Sequence, residues 1–286
     1  MEHVRWDDRP RLDRPVAIAA WQGWNDAGEA ASGAVRYLSL NAGAERVASI
    51  DPEEFHDFTV ARPMVRLIDG ITRSIDWPTT DVEVATSIGG LHDLVFVHGF
   101  EPQLRWRTYC EEVVTIMRAL EIEMVLTLGA LLADVAYRRP VRVIGTATDA
   151  ALIERLGLQR SRYEGPTGIV GVLHDALSAA GIPSASLWAS VPHYLGQTPS
   201  PKAKLALVQR AAELMNIPTH VTDLELASAA YERQVSEAVA ENDDLAQYIA
   251  QLELADEADD EADEPSSSHA DDLAAEVERF LREHGS

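Results

Sequence analysis

The chain has 286 residues, 46% of them apolar, one cysteine and a formal net charge of −23. That apolar share suffices for one large core or two smaller ones, no apolar run approaches the ~18 residues of a membrane helix, and a lone Cys110 excludes an internal disulfide. The charge excludes nucleic acid as partner, because a phosphate backbone needs clustered Lys and Arg.

The acids are unevenly spread. From Glu241 to Ser286 there are 16 acidic and 2 basic residues, which leaves 31 and 22 ahead of them. The start, MEHVRWDDRPRLDRP, has no apolar signal region, so with the single thiol the expected compartment is the cytoplasm.

Residues 1–14 read as a polar lead-in. Val16 to Trp21 is an apolar run, followed by the polar turn Gln22-Gly23-Trp24-Asn25-Asp26 and a small-residue helix from Ala27 to Leu40. Strand, sharp turn and helix open an α/β sheet. Asp26-Ala27-Gly28-Glu29 has the form of a capping box, with Asp26 accepting from the Glu29 amide and Glu29 reaching back.

Glu45 to Asp51 reads as a second strand. Met64 to Ile68, Ile71 to Trp77 and Val82 to Ser87 are three short strands, and Asp69-Gly70 is a hairpin signal between the first two. That predicts an antiparallel insert in an otherwise alternating chain. Asp93 to His98 is a buried strand, and a helix from Leu104 to Leu120 carries Val113, Ile116, Met117 and Leu120 on one face. Glu123 to Gly129 is the next strand, before a loop of small residues.

Val141 to Thr146 is a strand and Asp149 to Leu156 a helix closed by Gly157. The turn Tyr163 to Gly168 leads into a helix from Ile169 to Ala180, with Gly181 as its stop. Ala185 to Val191 is a strand and Pro201 to Met215 a helix. This alternation predicts an α/β core over 15–218, built on a mainly parallel sheet with helices on both faces.

After Pro218 a helical extension is expected over 219–254. Leu224, Ser228, Tyr231, Val235, Ala238, Asn242, Leu245, Ile249 and Leu252 fall at heptad spacing. This is either an arm packed back on the body or an oligomer or partner seam, with Leu224, Tyr231, Val235, Leu245, Ile249 and Leu252 as its apolar members. Residues 255–270 are acidic and of low complexity, expected to lack structure. Residues 271–286 hold a short amphipathic helix, with Leu273, Val277, Phe280 and Leu281 on one face.

Open α/β sheets bind ligands where strand ends meet helix N-termini. Trp21, Gly23, Trp24, Asn25 and Asp26 are therefore ligand or partner candidates, set against a turn with two packed Trp anchors. Glu101 follows a strand end, where catalytic carboxylates often sit. Gly165, Thr167 and Gly168 open a helix whose amides can receive an anion, although the glycine spacing matches no phosphate loop. His92 and His98 are roughly 20 Å apart along a strand at about 3.3 Å per residue, too far to share a metal. Cys110 beside Glu111 and Glu112 is a poor nucleophile. No catalytic set, metal site or cofactor site is expected, and the enzyme question leans to no.

Several segments in order resemble the proteasome assembly chaperone 2 family, in its actinobacterial branch. They are Trp21-Gln22-Gly23-Trp24-Asn25-Asp26-Ala27-Gly28, His98-Gly99-Phe100-Glu101-Pro102, Thr127-Leu128-Gly129-Ala130, Gly145-Thr146-Ala147-Thr148 and Tyr163-Glu164-Gly165-Pro166-Thr167-Gly168-Ile169. The resemblance implies a three-layer α/β fold like the phosphorylases and related hydrolases, with a C-terminal helical extension. It also implies a homo-oligomer, for which analogy favours a trimer, and proteasome subunits as partners. Relatives often dock by a C-terminal hydrophobic-Tyr-any residue tail. This chain ends Glu283-His284-Gly285-Ser286, so that docking mode is not expected to carry over. The family offers no catalytic residues. The expected function is a non-catalytic assembly protein, and the alternative is a small-molecule binder or a hydrolase or phosphorylase on the same scaffold.

Overall fold

A computed structural model describes residues 3–88 and 92–262. Strand β1 (Val4–Trp6) lies in the polar lead-in and was not anticipated. It pairs antiparallel with β3 (Glu45–Ile50), Val4 opposite Ile50. Between them come β2 (Val16–Gln22), a 3-10 turn at Ala27–Glu29 and helix α1 (Ala30–Ala42). The expected hairpin is β4 (Met64–Ile68) with β5 (Thr72–Asp76), a two-stranded sheet of its own. Then follow β6 (Thr80–Ile88), β7 (His92–Phe100), α2 (Trp106–Ala119), β8 (Met124–Ala133) and β9 (Val143–Ala147).

The remaining elements are α3 (Ala150–Leu156), β10 (Gln159–Arg160), α4 (Ile169–Ala179), β11 (Ser184–Pro192), α5 (Pro201–Met215), α6 (Thr222–Ala240) and α7 (Asp243–Ala262). Among the described residues the large sheet has nine strands, in the order β1-β3-β6-β7-β2-β8-β11-β9-β10. The fold is α/β and the sheet is mixed. β2 runs parallel to both β7 and β8, and β9 parallel to β10, whereas β1, β3, β6 and β7 pair antiparallel in succession.

Packing divides the chain into two units. Of the described residues the first holds 3–24, 35–88, 92–127 and 167–185, and the second holds 25–34, 128–166 and 186–262. In the first, Ala17, Ile18, Ala19 and Ala20 of β2 are buried, flanked by Leu94, Val95, Phe96 and Val97 of β7. A strand buried on both faces reads as a continuous apolar run, which is how both segments announce themselves. Tyr109, Cys110, Val113, Ile116 and Met117 line the buried face of α2. Cys110 is buried, and burial first, then Glu111, pushes its thiol up to about 12.

In the second unit, Asp149 caps α3 by accepting from the Leu152 amide at 2.8 Å, and Gly157 ends it at φ 62. Ser200 caps α5 through the Ala203 amide at 3.2 Å, with Pro201 in its first turn. The heptad pattern does not make one continuous rod, because α6 stops at Ala240 and α7 restarts at Asp243. Tyr231, Val235, Val239 and Ile249 pack with Ala136 and Tyr137, and Leu245 and Leu252 lie partly buried on this cluster. Leu224 is buried too. The apolar seam is thus filled within this unit. α7 continues past Leu254 into the acidic run expected to lack structure, where Ala and Glu favour helix. The rest of that run and the Asp271 to His284 helix lie outside the described residues.

Candidate functional site

Within the first unit β2 ends at Gln22, and the chain turns through Gly23 at φ 143. Glu101 follows β7, and its amide donates to the Gln22 carbonyl at 2.8 Å. Its carboxylate then closes the turn: Oε2 accepts from the Trp24 amide at 3.1 Å and Oε1 from the Ile169 amide at 2.8 Å. Ile169 is the first residue of α4, whose N-cap, Gly168, has no side chain to offer. Glu101 therefore fills the anion position at that helix start with the chain's own carboxylate.

The geometry requires Gly23. A Cβ there would lie 2.9 Å from Glu101 Cβ and 3.0 Å from its Oε2. A Cβ at Gly171 would meet Thr167 Oγ1 at 2.0 Å, so a larger residue there would make the exposed Thr167 side chain turn away. Thr167 is exposed and Gly168 buried. Trp24 is 47% exposed, the one large side chain of the turn that meets solvent.

Trp21 is a core residue. Its Nε1 donates to Tyr109 Oη at 2.6 Å, and Tyr109 Oη and Thr80 Oγ1 are 2.7 Å apart. All three are buried, and burial pushes the Tyr109 phenol up and keeps it protonated. This buried polar chain is satisfied internally and has no free group for a ligand.

In the second unit Asn25 and Asp26 are buried. The Asn25 carbonyl accepts from the Ala130 amide at 2.8 Å. The capping box is not formed as expected. Asp26 Oδ1 accepts from the Ala31 and Ser32 amides, at 2.8 and 3.0 Å, and Glu29 donates only its amide, to the Asp26 carbonyl. The cause is the 3-10 turn. Gly28 and Glu29 take positive φ, 58 and 50, which delays α1 to Ala30. Gly28 is held where a Cβ would lie 2.9 Å from Ser200 Cβ, and its carbonyl accepts from the Ser200 amide at 2.7 Å. Gly165 lies under Tyr163, whose Oη donates to the Pro166 carbonyl at 2.6 Å. It tightens a turn rather than opening an anion cradle.

Sequence reasoning missed three groupings. In the first unit His174 joins Ser184 Oγ at Nδ1, 2.7 Å, and Thr127 Oγ1 at Nε2, 2.9 Å. Burial pushes this imidazole down to about 4. Its partners lie on β8 and β11, so no local spacing marks them. His98 was weighed with His92 as a metal ligand and set aside as too distant from it. It instead meets Glu83 Oε2 at 3.2 Å, while Ser39 donates to the same carboxylate, and His98 first of all holds the Glu83 carboxyl below its usual range. In the second unit Asp134 pairs with His193 Nδ1 at 2.9 Å and accepts from Tyr248 at 3.2 Å, with Tyr194 edge-on to both rings. Pro192-His193-Tyr194 after a strand was the available signal. Among the described residues no three His, Cys, Asp or Glu form a metal cluster, and no helix is long and apolar enough to cross a membrane.

A shallow groove of about 500 Å³ in the second unit is lined by residues including Tyr137, Arg138, Glu232, Arg233 and Ser236. None of the candidate residues lines it. The turn and helix-start candidates thus include hydrogen-bonded structural residues, with Gly23, Trp24, Gly165 and Thr167 as their exposed members.

A family model described as the PAC2 family matches residues 20–239. The chain is similar to a PAC2 family protein from Streptomyces avermitilis, at 44% identity and a TM-score of 0.76, over 82% of this chain and 99% of that one. It is similar to a Mycobacterium tuberculosis proteasome-assembly chaperone homologue, at 43% identity and a TM-score of 0.74, over the same shares of the two chains. Pyrococcus furiosus PbaB, an archaeal proteasome activator, shares the fold at 17% identity and a TM-score of 0.67, over 83% of this chain and 99% of that one. No curated protein matches the chain.

Proposed function

The chain belongs to the PAC2 family, and we propose on that premise that it is a non-catalytic protein of the proteasome assembly chaperone type. In this reading it binds proteasome subunits, acts in the cytoplasm and works as a homo-oligomer, with a trimer favoured by analogy to phosphorylase-like folds. The assembly reading draws on the Mycobacterium tuberculosis homologue at 43% identity.

The observation that carries the non-catalytic half is the state of Glu101. A general acid or nucleophile needs a free oxygen facing substrate. Each Glu101 oxygen already accepts a backbone amide of the chain itself, which supports a structural role for the carboxylate. Trp21 and Asp26 are buried with their side chains hydrogen-bonded within the chain, and Asn25 is buried with its backbone carbonyl bonded to the Ala130 amide. These bonds count against the scaffold-enzyme alternative, although Gly23, Trp24, Gly165 and Thr167 stay exposed. What remains of the turn for a partner is the exposed Trp24, an amphipathic side chain of the kind enriched at interface hot spots.

The test is capture of tagged full-length protein from its own host, with intact-mass analysis of what accompanies it. Proteasome α or β subunits at near-stoichiometric yield are expected. A clean homo-oligomer carrying no other protein would overturn the assembly reading and direct a small-molecule screen at the Trp21 to Asp26 turn.

A further inference from the structure

A basic stretch lies in the same unit as α7 and runs against the sign of the whole chain. Residues 138–162 hold six arginines, Arg138, Arg139, Arg142, Arg155, Arg160 and Arg162, against Asp149 and Glu154, a net of +4 (six less two) in a chain of net charge −23. All of these arginines except Arg139 are exposed, and Asp149 already serves as the cap of α3. The stretch forms one end of the large sheet: β10 is its edge strand, β9 lies next to it, and α3 packs against both. Arg142 stands just ahead of β9, and Arg160 is in register with Ala147 at its far end, so they lie about 16 Å apart along the strand at about 3.3 Å per residue. Arg155 is in the last turn of α3. The planar arginine fork takes a carboxylate through two hydrogen bonds, so a row of them suits a run of carboxylates.

α7 makes the first such contact. Glu253 Oε1 lies 3.3 Å from Arg138 Nη1, and Tyr248 donates to Asp134 at 3.2 Å, which pins α7 beside the start of the row. Beyond Glu253 the charge has one sign: residues 256–264 hold seven acids and no base. Like charges three and four apart weaken a helix, yet α7 runs on to Ala262, so this crowding calls for counter-charge nearby. The helix end lies about 14 Å past Glu253 at about 1.5 Å per residue. Another 24 residues follow Ala262, with seven acids and two bases among them. That length spans up to ~80 Å when extended, several times the extent of the arginine row.

We propose that the tail beyond Ala262, residues 263–286, docks in the same chain onto the row of Arg142, Arg155, Arg160 and Arg162, continuing the contact that Glu253 opens with Arg138. Two observations select this occupant over a second copy or an acidic partner. Charge is complementary, +4 on residues 138–162 against −5 (two bases less seven acids) on the tail. The tail is also anchored beside the row by α7. Exposed Arg–carboxylate pairs are individually weak, so a free acidic chain binds them poorly, whereas a tethered one is presented at about millimolar effective concentration. Docked, the tail screens the row from other acidic chains. The inference is independent of the proteasome partner and of the oligomer.

The test is a pulsed electron resonance distance between nitroxides on the full chain, placed at Ala151→Cys on the exposed side of α3 and at Gly285→Cys, and diluted into unlabelled chain; Cys110 is buried and takes no label. A narrow distribution is expected at about 0.1 M salt. At about 1 M, where the screening length falls from about 10 to about 3 Å, it should widen about threefold toward that of a free tether. Neutralising the tail by Asp263→Asn, Glu264→Gln, Asp271→Asn and Asp272→Asn should give the wide distribution already at low salt. Arg142→Gln with Arg160→Gln should do the same, with an unchanged circular dichroism spectrum. A wide distribution in the unsubstituted pair at both salts, or a narrow one that the tail substitutions leave intact, overturns the proposal. So does a narrow distance found only between singly labelled chains mixed together, which would assign the tail to a neighbouring copy.

Discussion

The Glu101 carboxylate caps a helix that begins 68 residues later, accepting the Ile169 amide at 2.8 Å through one oxygen and the Trp24 amide at 3.1 Å through the other. One side chain thus fixes the end of β2, the end of β7 and the start of α4. A residue in this position acts on stability first. Glu101→Ala leaves two amides without their acceptor and should cost about 2–3 kcal/mol. Glu101→Gln keeps one acceptor oxygen and should cost about half as much. Urea unfolding of both variants checks this, and a Glu101→Ala variant as stable as wild type would return the residue to the functional candidates.

Gly23 belongs to the same unit of structure. Its φ of 143 disfavours any side chain, and a Cβ would push on Glu101. Gly23→Ala should cost about 2 kcal/mol or more. Combined with Glu101→Ala the losses should fall short of additivity by at most about 1 kcal/mol, because the second change removes the Oε2 that a Cβ at position 23 would meet at 3.0 Å and leaves the Cβ at 2.9 Å in place. Simple addition in a double-mutant cycle would show that the two do not act through one contact.

His174 makes stability depend on pH. Folded, it is neutral down to about pH 4, because burial opposes its charge; unfolded, it takes a proton near pH 6.5. Between those values the unfolded chain binds more protons, so stability falls as pH drops through the window. The displacement corresponds to at most about 3 kcal/mol before solvent screening. His174→Gln should therefore lose less stability between pH 7 and pH 4.5 than wild type does, measured by urea midpoints. Equal losses would assign the acid sensitivity elsewhere.

Ile249 is 1% exposed and packs α7 onto the Tyr231, Val235 and Val239 face of α6. Ile249→Ala should cost about 2–4 kcal/mol, through lost burial and the cavity left behind, and should make α7 the first segment cut by protease. Cleavage no faster than in wild type would show that α7 is held by other contacts.

What the sequence discloses and what it hides divide by distance along the chain. β4 and α5 match their expected limits because a Gly-containing turn, a Ser cap and a Pro start are local signals. The apolar runs of β2 and β7 were legible for the same reason. The loop of small residues expected after Gly129 is strand instead: β8 runs on to Ala133. The small Gly129 there makes room for Trp188, whose ring would lie 2.4 Å from a Cβ, and no window of sequence contains both. The candidate turn was located correctly as a junction, but its chemistry was not legible. Which oxygen Glu101 offers, and to which amide, is decided by a helix start 68 residues away. Asp26 was recognised as a cap, but its partners were displaced by the left-handed pair Gly28 and Glu29.

The most direct test of the assembly reading is to mix the purified full chain with purified proteasome α and β subunits from its host and follow core-particle formation by native mass. The account predicts a transient complex containing this chain and a faster appearance of the core particle. Subunits that assemble at the same rate with and without the chain, with no mixed species at any time, would contradict it.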